Sequence, residues 1–500
     1  MDMAEFGSTA FLAVYTALLV IVSMYGMHRW AIVALYYLHR KNKPVPAGEF
    51  KELPRVTIQL PMFNEKAVAR RIIEKTCLIE YPREKLQIQV LDDSTDETVH
   101  IAAATVEEAR AKGFDIEYIH REDRSGYKAG ALSNGLKTAT GEFVAIFDAD
   151  FIPDPQALMR SIQHFTDPKV CVVQTRWDHL NRHHSMLTRS QAIFLDGHFA
   201  IEHVARNRSA RFISFNGTAG TWRRAAIDDA GGWSHDTLTE DLDLSYRAQL
   251  RGWKFVFLPE VTAPAELPPE MNAFKAQQFR WTKGGAQVAM KILPTVLRSN
   301  APLKVKVEAF FHLTCFSVHI FMLALVLMLF PAMWLMGPTA ENPSIWRVAF
   351  DMGVFALATM SATAFYVASQ MELFGDWKHA MKYLPVLMAL GIGLCITNTK
   401  AIIEALTGKQ SEFVRTPKYG EAMVITDKPR KKNSIIPYLE LGMGVYMSVC
   451  AILSLMSIRG MMTTPFLVMF AFGFYYVSVS SLQAQAAVKK ASELAVKQNA

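Results

Sequence analysis

Two kinds of pattern alternate along the chain. Long apolar runs occupy both ends, while the middle breaks into short Val/Ile/Leu/Phe-rich runs separated by polar stretches with helical periodicity. Runs over 11–38, 309–336, 348–371, 438–458 and 466–482 reach or approach the roughly 20 residues a helix needs to cross the hydrocarbon of a bilayer. The run 384–396 is shorter and reads as an interfacial or re-entrant segment. The start Met1-Asp2-Met3-Ala4-Glu5 is acidic where a signal peptide would be basic, so the first run is expected to remain as a membrane helix. The basic cluster His39-Arg40-Lys41-Asn42-Lys43 then puts the N-terminus outside and the residues that follow in the cytosol. With five spans, Lys428 to Lys432 and the tail with Lys489 and Lys490 are cytosolic as well; a sixth crossing would place both outside. The expected order is therefore a membrane helix within 1–43, a cytosolic domain over 54–270, an interface helix over 271–304 and two spans within 305–372. An interface helix with a loop (379–436), two spans within 437–485 and a cytosolic tail (486–500) complete it.

Between 54 and 270 the runs 56–63, 86–91, 116–120, 143–147 and 170–174 read as buried strands, and 65–74, 97–112, 128–137 and 155–165 read as helices. Strand–helix alternation with continuous apolar strands predicts an α/β domain whose mostly parallel sheet is covered on both faces. Ligands of such sheets bind outside the carboxyl ends of the strands.

Composition narrows the class. Of 500 residues, 51% are hydrophobic and 20% charged, which excludes a disordered chain and fits a membrane protein with a large water-soluble part. The formal charge of +7 is modest and carries no nucleic-acid signal. The five cysteines form no CxxC pair or Cys/His cluster, so neither a disulfide scaffold nor a zinc module is expected.

Two strand ends are acidic: Asp92-Asp93-Ser94 after 86–91, and Asp148-Ala149-Asp150 after 143–147. Singly, an Asp after a strand is a turn former or a helix cap. Two such pairs on one sheet would repel unless a hard divalent ion such as Mg2+ or Mn2+, shared with a ligand's phosphates, gathered them. Neither GxGxxG nor GxxxxGK[ST] occurs, so a nucleotide would be held through metal and carboxylates rather than a glycine-rich cradle. Thr239-Glu240-Asp241 precedes a helical stretch, where a capped helix start is the plain alternative. In Gln277-Gln278-Phe279-Arg280-Trp281, the residues Gln277, Arg280 and Trp281 lie three and four apart and share one helix face. An interfacial anchor is one reading of that face; an indole stacked on a pyranose beside a phosphate-binding Arg is the other.

The series Asp-Asp-Ser, Asp-Ala-Asp, Thr-Glu-Asp and Gln-x-x-Arg-Trp, flanked by apolar spans, resembles the processive family-two glycosyltransferases of GT-A fold. Leu91–Asp96, Gly126–Leu132, Phe147–Phe151 and Phe215–Trp222 look most like the cellulose-synthase-like glucomannan and glucan synthases and their bacterial relatives. The resemblance implies a GT-A domain, Rossmann-like with a mixed, mostly parallel sheet, joined to an α-helical transmembrane bundle with interface helices. It implies that Asp92, Asp93, Lys128, Asp148, Gln277 and Arg280 bind a nucleotide-sugar donor, that Asp148 and Asp150 hold Mg2+ or Mn2+, and that Asp241 with Glu240 is catalytic. Trp281, Asn216 and Gly217 would meet the acceptor. Phe413, Thr416 and Lys418 resemble a gating loop, with Arg415 where the family carries Val. The expected activity is inverting polymerisation of a β-glycan, most simply a β-glucan from UDP-glucose, with export across the membrane. GDP-mannose-dependent mannan or glucomannan synthesis, or single transfer to a ceramide or diacylglycerol lipid, are the alternatives. The expected location is a bacterial inner membrane or its equivalent.

Overall fold

A computed structural model of the protein describes residues 3–336, 345–409, 418, 420, 434–456 and 458–498. Its soluble part is built on one seven-stranded sheet of order β3-β2-β1-β4-β6-β5-β7. β1 (Val56–Met62), β2 (Leu86–Asp92), β3 (Asp115–His120) and β4 (Phe143–Ile146) pair in parallel. β6 (Gly220–Arg223) runs antiparallel to both β4 and β5 (Val170–His179), and β7 (Lys254–Ala265) pairs in parallel with β5. Every residue of β1, β2 and β4 is buried, as continuous apolar runs require in a sheet covered on both sides. β7 carries Pro259 and Pro264, which a central strand would not tolerate; it forms the sheet's edge.

The expected helix at 65–74 begins later, at Ala69–Thr76. Asn64 takes a positive φ of 54°. Its N–H donates to Ser94 Oγ at 2.7 Å and its Oδ1 accepts from the Thr95 N–H at 2.8 Å, so the residues after β1 form a loop tied to the end of β2.

One face of the sheet packs on the helices Ala69–Thr76, Thr98–Ala111 and Ala157–Ile162 through Ile72, Ile73, Val106, Leu158 and Ile162. The apolar cluster on the other face joins Leu132 of Tyr127–Gly135 to Ile193, Leu195 and Phe199, and continues into Ile32 and Tyr36 of the first helix and Phe365 and Tyr366 of the helix Ile345–Phe374. That face of the sheet thus shares one core with the first helix and Ile345–Phe374, while Val326, Cys395, Met447 and Phe474 of the other apolar helices pack in a cluster of their own. The helix Met186–Asp196 starts at Ser185 with a capping box to Thr188. Its last residue, Asp196, accepts two bonds of 2.7 Å from Arg182 and one of 2.8 Å from Gln370 of Ile345–Phe374.

Among the described residues, Phe6–His39, Leu303–Met333, Ile436–Ser454 and Thr463–Ala487 are long and apolar enough to cross a membrane. The chain is a membrane protein. The helix Ile345–Phe374, which contains the run 348–371, packs along the first helix. The short apolar run becomes Leu384–Gly393, bent by 42° to Cys395–Leu406. It packs so tightly on the last helix that a Cβ at Gly393 would lie 2.4 Å from the Gly473 carbonyl oxygen, the close approach small residues permit between apolar helices.

Candidate active site

The order of the sheet places a switch point at β1 and β4, and a cleft opens beyond their carboxyl ends, where such sheets bind ligands. It is lined by Asp93, Lys128, Asp148, Asp150, Asn216, Gly217, Glu240, Asp241, Gln277, Arg280, Trp281 and Lys418, which the sequence had placed as far apart as β2 and a segment after the bent helix pair.

Asp93 is buried and held by both arms of Arg121, Nε to Oδ1 at 2.8 Å and Nη2 to Oδ2 at 2.6 Å. Asp92, expected to bind the donor, is placed differently from Asp93. It is fully buried and does not line the cleft; Oδ2 accepts from Tyr118 Oη at 2.7 Å and Oδ1 from the Ser94 N–H at 2.9 Å, which makes it a turn former beneath the site.

After β4, the Asp148 N–H donates to Thr218 Oγ1 at 2.8 Å, and its carboxylate accepts from Lys128 Nζ, which also reaches the Gly217 carbonyl at 2.9 Å. Asp150, buried, accepts from Lys418 Nζ at 2.5 Å. Phe413 and Thr416 lie outside the described residues. Burial works against the Lys128 ammonium, but Asp148, Glu240 and Asp241 hold its pKa above the ordinary lysine value.

No group of three or more His, Cys, Asp or Glu side chains that could cage an ion occurs among the described residues. Asp148 and Asp150 nevertheless suit a hard divalent ion of the kind that takes one or two carboxylates and completes its shell with substrate phosphates and water. Two lysines counter their charge in this structure.

Glu240 and Asp241 open the helix Glu240–Leu250. Burial, then the charge of Glu240, lifts the Asp241 carboxyl to about 7; burial also raises Glu240. Gly217 has φ +80°, and a Cβ there would sit 3.0 Å from Asp241 Oδ2, so the residue keeps the carboxylate's flank open. Gln277, Arg280 and Trp281 reach the cleft from the helix Met271–Arg298. Two buried lysines on that helix anchor it: Lys275 Nζ donates to Glu440 at 2.6 and 2.8 Å, and Lys283 Nζ to Glu404 at 3.1 Å.

Sequence reasoning missed the histidines behind Asn216. Its Nδ2 donates to His198 Nε2 at 2.9 Å, and its Oδ1 accepts from His203 Nε2. His198 Nδ1 donates to Glu202 at 3.1 Å; Glu202 pairs with Arg206 at 3.5 Å, Arg206 with Glu308 at 2.9 Å, and Glu308 with His28 of the first helix at 3.1 Å. Arg206 and His198 hold Glu202 well below the usual carboxylate range against the burial that would raise it. Residues 197–203 form a π-helical turn, the bulge that lets both histidines face one amide. The recurrence of 198, 202 and 206 at helical spacing was the available signal.

Comparison with known proteins adds to this geometry. The family model Glycosyltransferase like family 2 matches residues 54–284. Glucomannan 4-beta-mannosyltransferase 7 of Arabidopsis thaliana is 33% identical over 454 residues, 84% of this chain and 78% of that protein. The chain belongs to glycosyltransferase family 2. This family 2 glycosyltransferase is also 44% identical over 251 residues to a probable glucomannan 4-beta-mannosyltransferase 7 of Oryza sativa subsp. japonica; the shared segment is 49% of this chain and 43% of the rice protein, less than half its length. A solved mannosyltransferase from Pyrobaculum calidifontis, in complex with GDP-Man and Mn2+, has the same fold, with a TM-score of 0.53 and 20% identity over 80% of this chain and 100% of that one. The sheet order and the cleft beyond β1 and β4 are those of a GT-A domain.

Proposed function

We propose that this membrane glycosyltransferase builds a β-linked mannan or glucomannan from GDP-mannose and passes it into the membrane as it grows. The observation that carries the reading is a carboxyl poised near neutrality, Asp241, in one cleft with an Asp-x-Asp pair and the half-buried indole of Trp281. UDP-glucose is the simplest expectation from the family resemblance; the glucomannan mannosyltransferase relatives support GDP-mannose instead.

In this reading Asp93 meets the nucleoside, and Lys128, Gln277 and Arg280 meet the diphosphate. Asp148 and Asp150 would hold Mg2+ or Mn2+, which when bound offsets the charge that develops on the departing diphosphate. The indole of Trp281 stacks on the acceptor's terminal sugar, and Asn216, fixed by His198 and His203, orients it. Asp241 takes the proton from the acceptor hydroxyl, a task suited to a pKa near the working pH. A single displacement by that hydroxyl inverts the anomeric centre, so an α-linked donor gives a β-linked product. One base suffices, because the leaving diphosphate needs charge compensation rather than a proton.

The helix bearing Trp281 is locked to the apolar helices by Lys275 and Lys283, which supports delivery of the chain end to the bilayer. The membrane is proposed only as one facing a cytosolic nucleotide-sugar pool, since the relatives named above are plant proteins. Sealed vesicles with the catalytic domain outward, given labelled GDP-mannose, UDP-glucose or both with Mn2+, test the proposal. Label from GDP-mannose is expected in a high-molecular-weight product degraded by mannanase. Label recovered wholly in organic solvent would replace the polymer reading with transfer to a lipid.

A further inference from the structure

The strand flanking the cleft carries chemistry that the transfer step above leaves unused. At the end of β5, alternation puts Trp177 and His179 on one face and Arg176 and Asp178 on the other. Arg176 is committed to the Pro259 carbonyl at 2.9 Å, and Asp178 Oδ1 accepts from the His179 N–H at 2.8 Å. Trp177 and His179 both line the cleft. The indole is fixed between Phe151, edge-on at 5.2 Å, and Phe199 at 5.3 Å. Yet Trp177 Nε1 has no hydrogen-bond partner among the described residues, and neither does Nε2 of His179, which is only 8% exposed. Buried polar nitrogens are nearly always paired, and these two stand on neighbouring residues of one strand face that both line the cleft, where a ligand's hydroxyl groups would supply the missing partners.

The character of this wall identifies the ligand. The anionic diphosphate of a nucleotide sugar finds its complements in Lys128 and Arg280. Trp177 and His179 offer neutral aromatic groups instead: burial keeps the imidazole uncharged, with a pKa of about 4. Trp177 and Trp281 pack against the same apolar cluster, which includes Leu195, Leu267 and Tyr366 of the helix Ile345–Phe374. Flat aromatic surface with a few directed N–H groups and no charge suits an uncharged polyhydroxylated chain.

We propose that Trp177 and His179 form a saccharide subsite that binds hydroxyl groups of the growing acceptor glycan. This rests on the reading of the cleft as a glycan synthase. The test uses the full-length enzyme in detergent with two titrations, one of GDP-mannose and one of β-1,4-linked mannohexaose. Trp177→Phe keeps an aromatic ring but loses the N–H; His179→Phe removes both nitrogens, and His179→Gln returns a polar group. Trp177→Phe and His179→Phe are expected to weaken mannohexaose binding about five- to tenfold and raise its KM, with GDP-mannose affinity within about twofold of the parent, which also reports an intact fold. His179→Gln is expected to recover part of the loss. Weakened GDP-mannose binding with unchanged mannohexaose affinity would overturn the proposal by assigning the pair to the donor. No change in either titration would overturn it by leaving the pair a packing role. Both results leave the polymerase reading intact; a parent enzyme that binds no mannohexaose and labels only lipid would instead remove that reading and the subsite with it.

Discussion

At Asp241 the demands of folding and of chemistry oppose each other. The folded protein holds this proton more tightly than the unfolded chain, whose Asp titrates near 3.9, so the stability it confers is present at low pH and is lost as pH rises through about 7. Asp241→Asn is therefore expected to melt higher than the parent at pH 8, with the gap closing toward pH 4, while losing roughly 10²- to 10⁴-fold in transfer and keeping nucleotide binding. Thermal melts and nucleotide titrations across pH check both halves. For the parent, kcat/KM should climb through about pH 7 and level off; a flat profile would remove Asp241 as the base. Gly217→Ala meets the same carboxylate from outside, in a backbone conformation that suits glycine, and should cut turnover more than donor affinity, read as a fall in kcat with GDP-mannose binding retained. Much at this scale was legible, because Asp-x-Asp, Thr-Glu-Asp and Gln-x-x-Arg-Trp each carry a spacing. Asp92 was not, since neighbouring aspartates at a strand end look alike until one turns inward. His198 and His203 were not, since a π-turn, which leaves no periodic signal, aims both at Asn216.

Among the elements, the helix Met271–Arg298 has the most to position, and two buried ion pairs do it. Lys275 and Glu440 are both nearly inaccessible, so Lys275→Met should leave Glu440 charged and alone at a cost of about 3–5 kcal/mol. Most of that should return in Lys275→Met/Glu440→Met, where two apolar side chains replace the pair. Melting in detergent measures the cycle; a double variant no better than the single one would show that the pair does more than balance charge. The parallel half of the sheet was legible from its continuous apolar strands. β6 and β7 were hidden for opposite reasons: the first is only Gly220–Arg223 and carries Arg223, and the second is long but contains two prolines that argue against a strand unless it lies on an edge.

For the whole molecule, hydropathy found the apolar helices and their polar interlude, but not how the two meet. The sequence treats the domain over 54–270 and the spans as neighbours, whereas the same cluster runs from Leu132 under the sheet to Ile32, Tyr36 and Phe365. A polar line from Asn216 through Glu202 and Arg206 to His28 crosses the same boundary. Pairings so remote in the chain leave no periodic trace.

One practical outcome concerns anyone who trims this enzyme for crystals or assays. Cutting out 54–284 would strip the lid from half of the sheet and leave a greasy flank facing water. Such a fragment should come out as aggregates that bind an environment-sensitive dye such as ANS, and a detergent or a grafted amphipathic cover should be needed to keep it in solution; a monodisperse, dye-silent fragment would show that the sheet closes over itself.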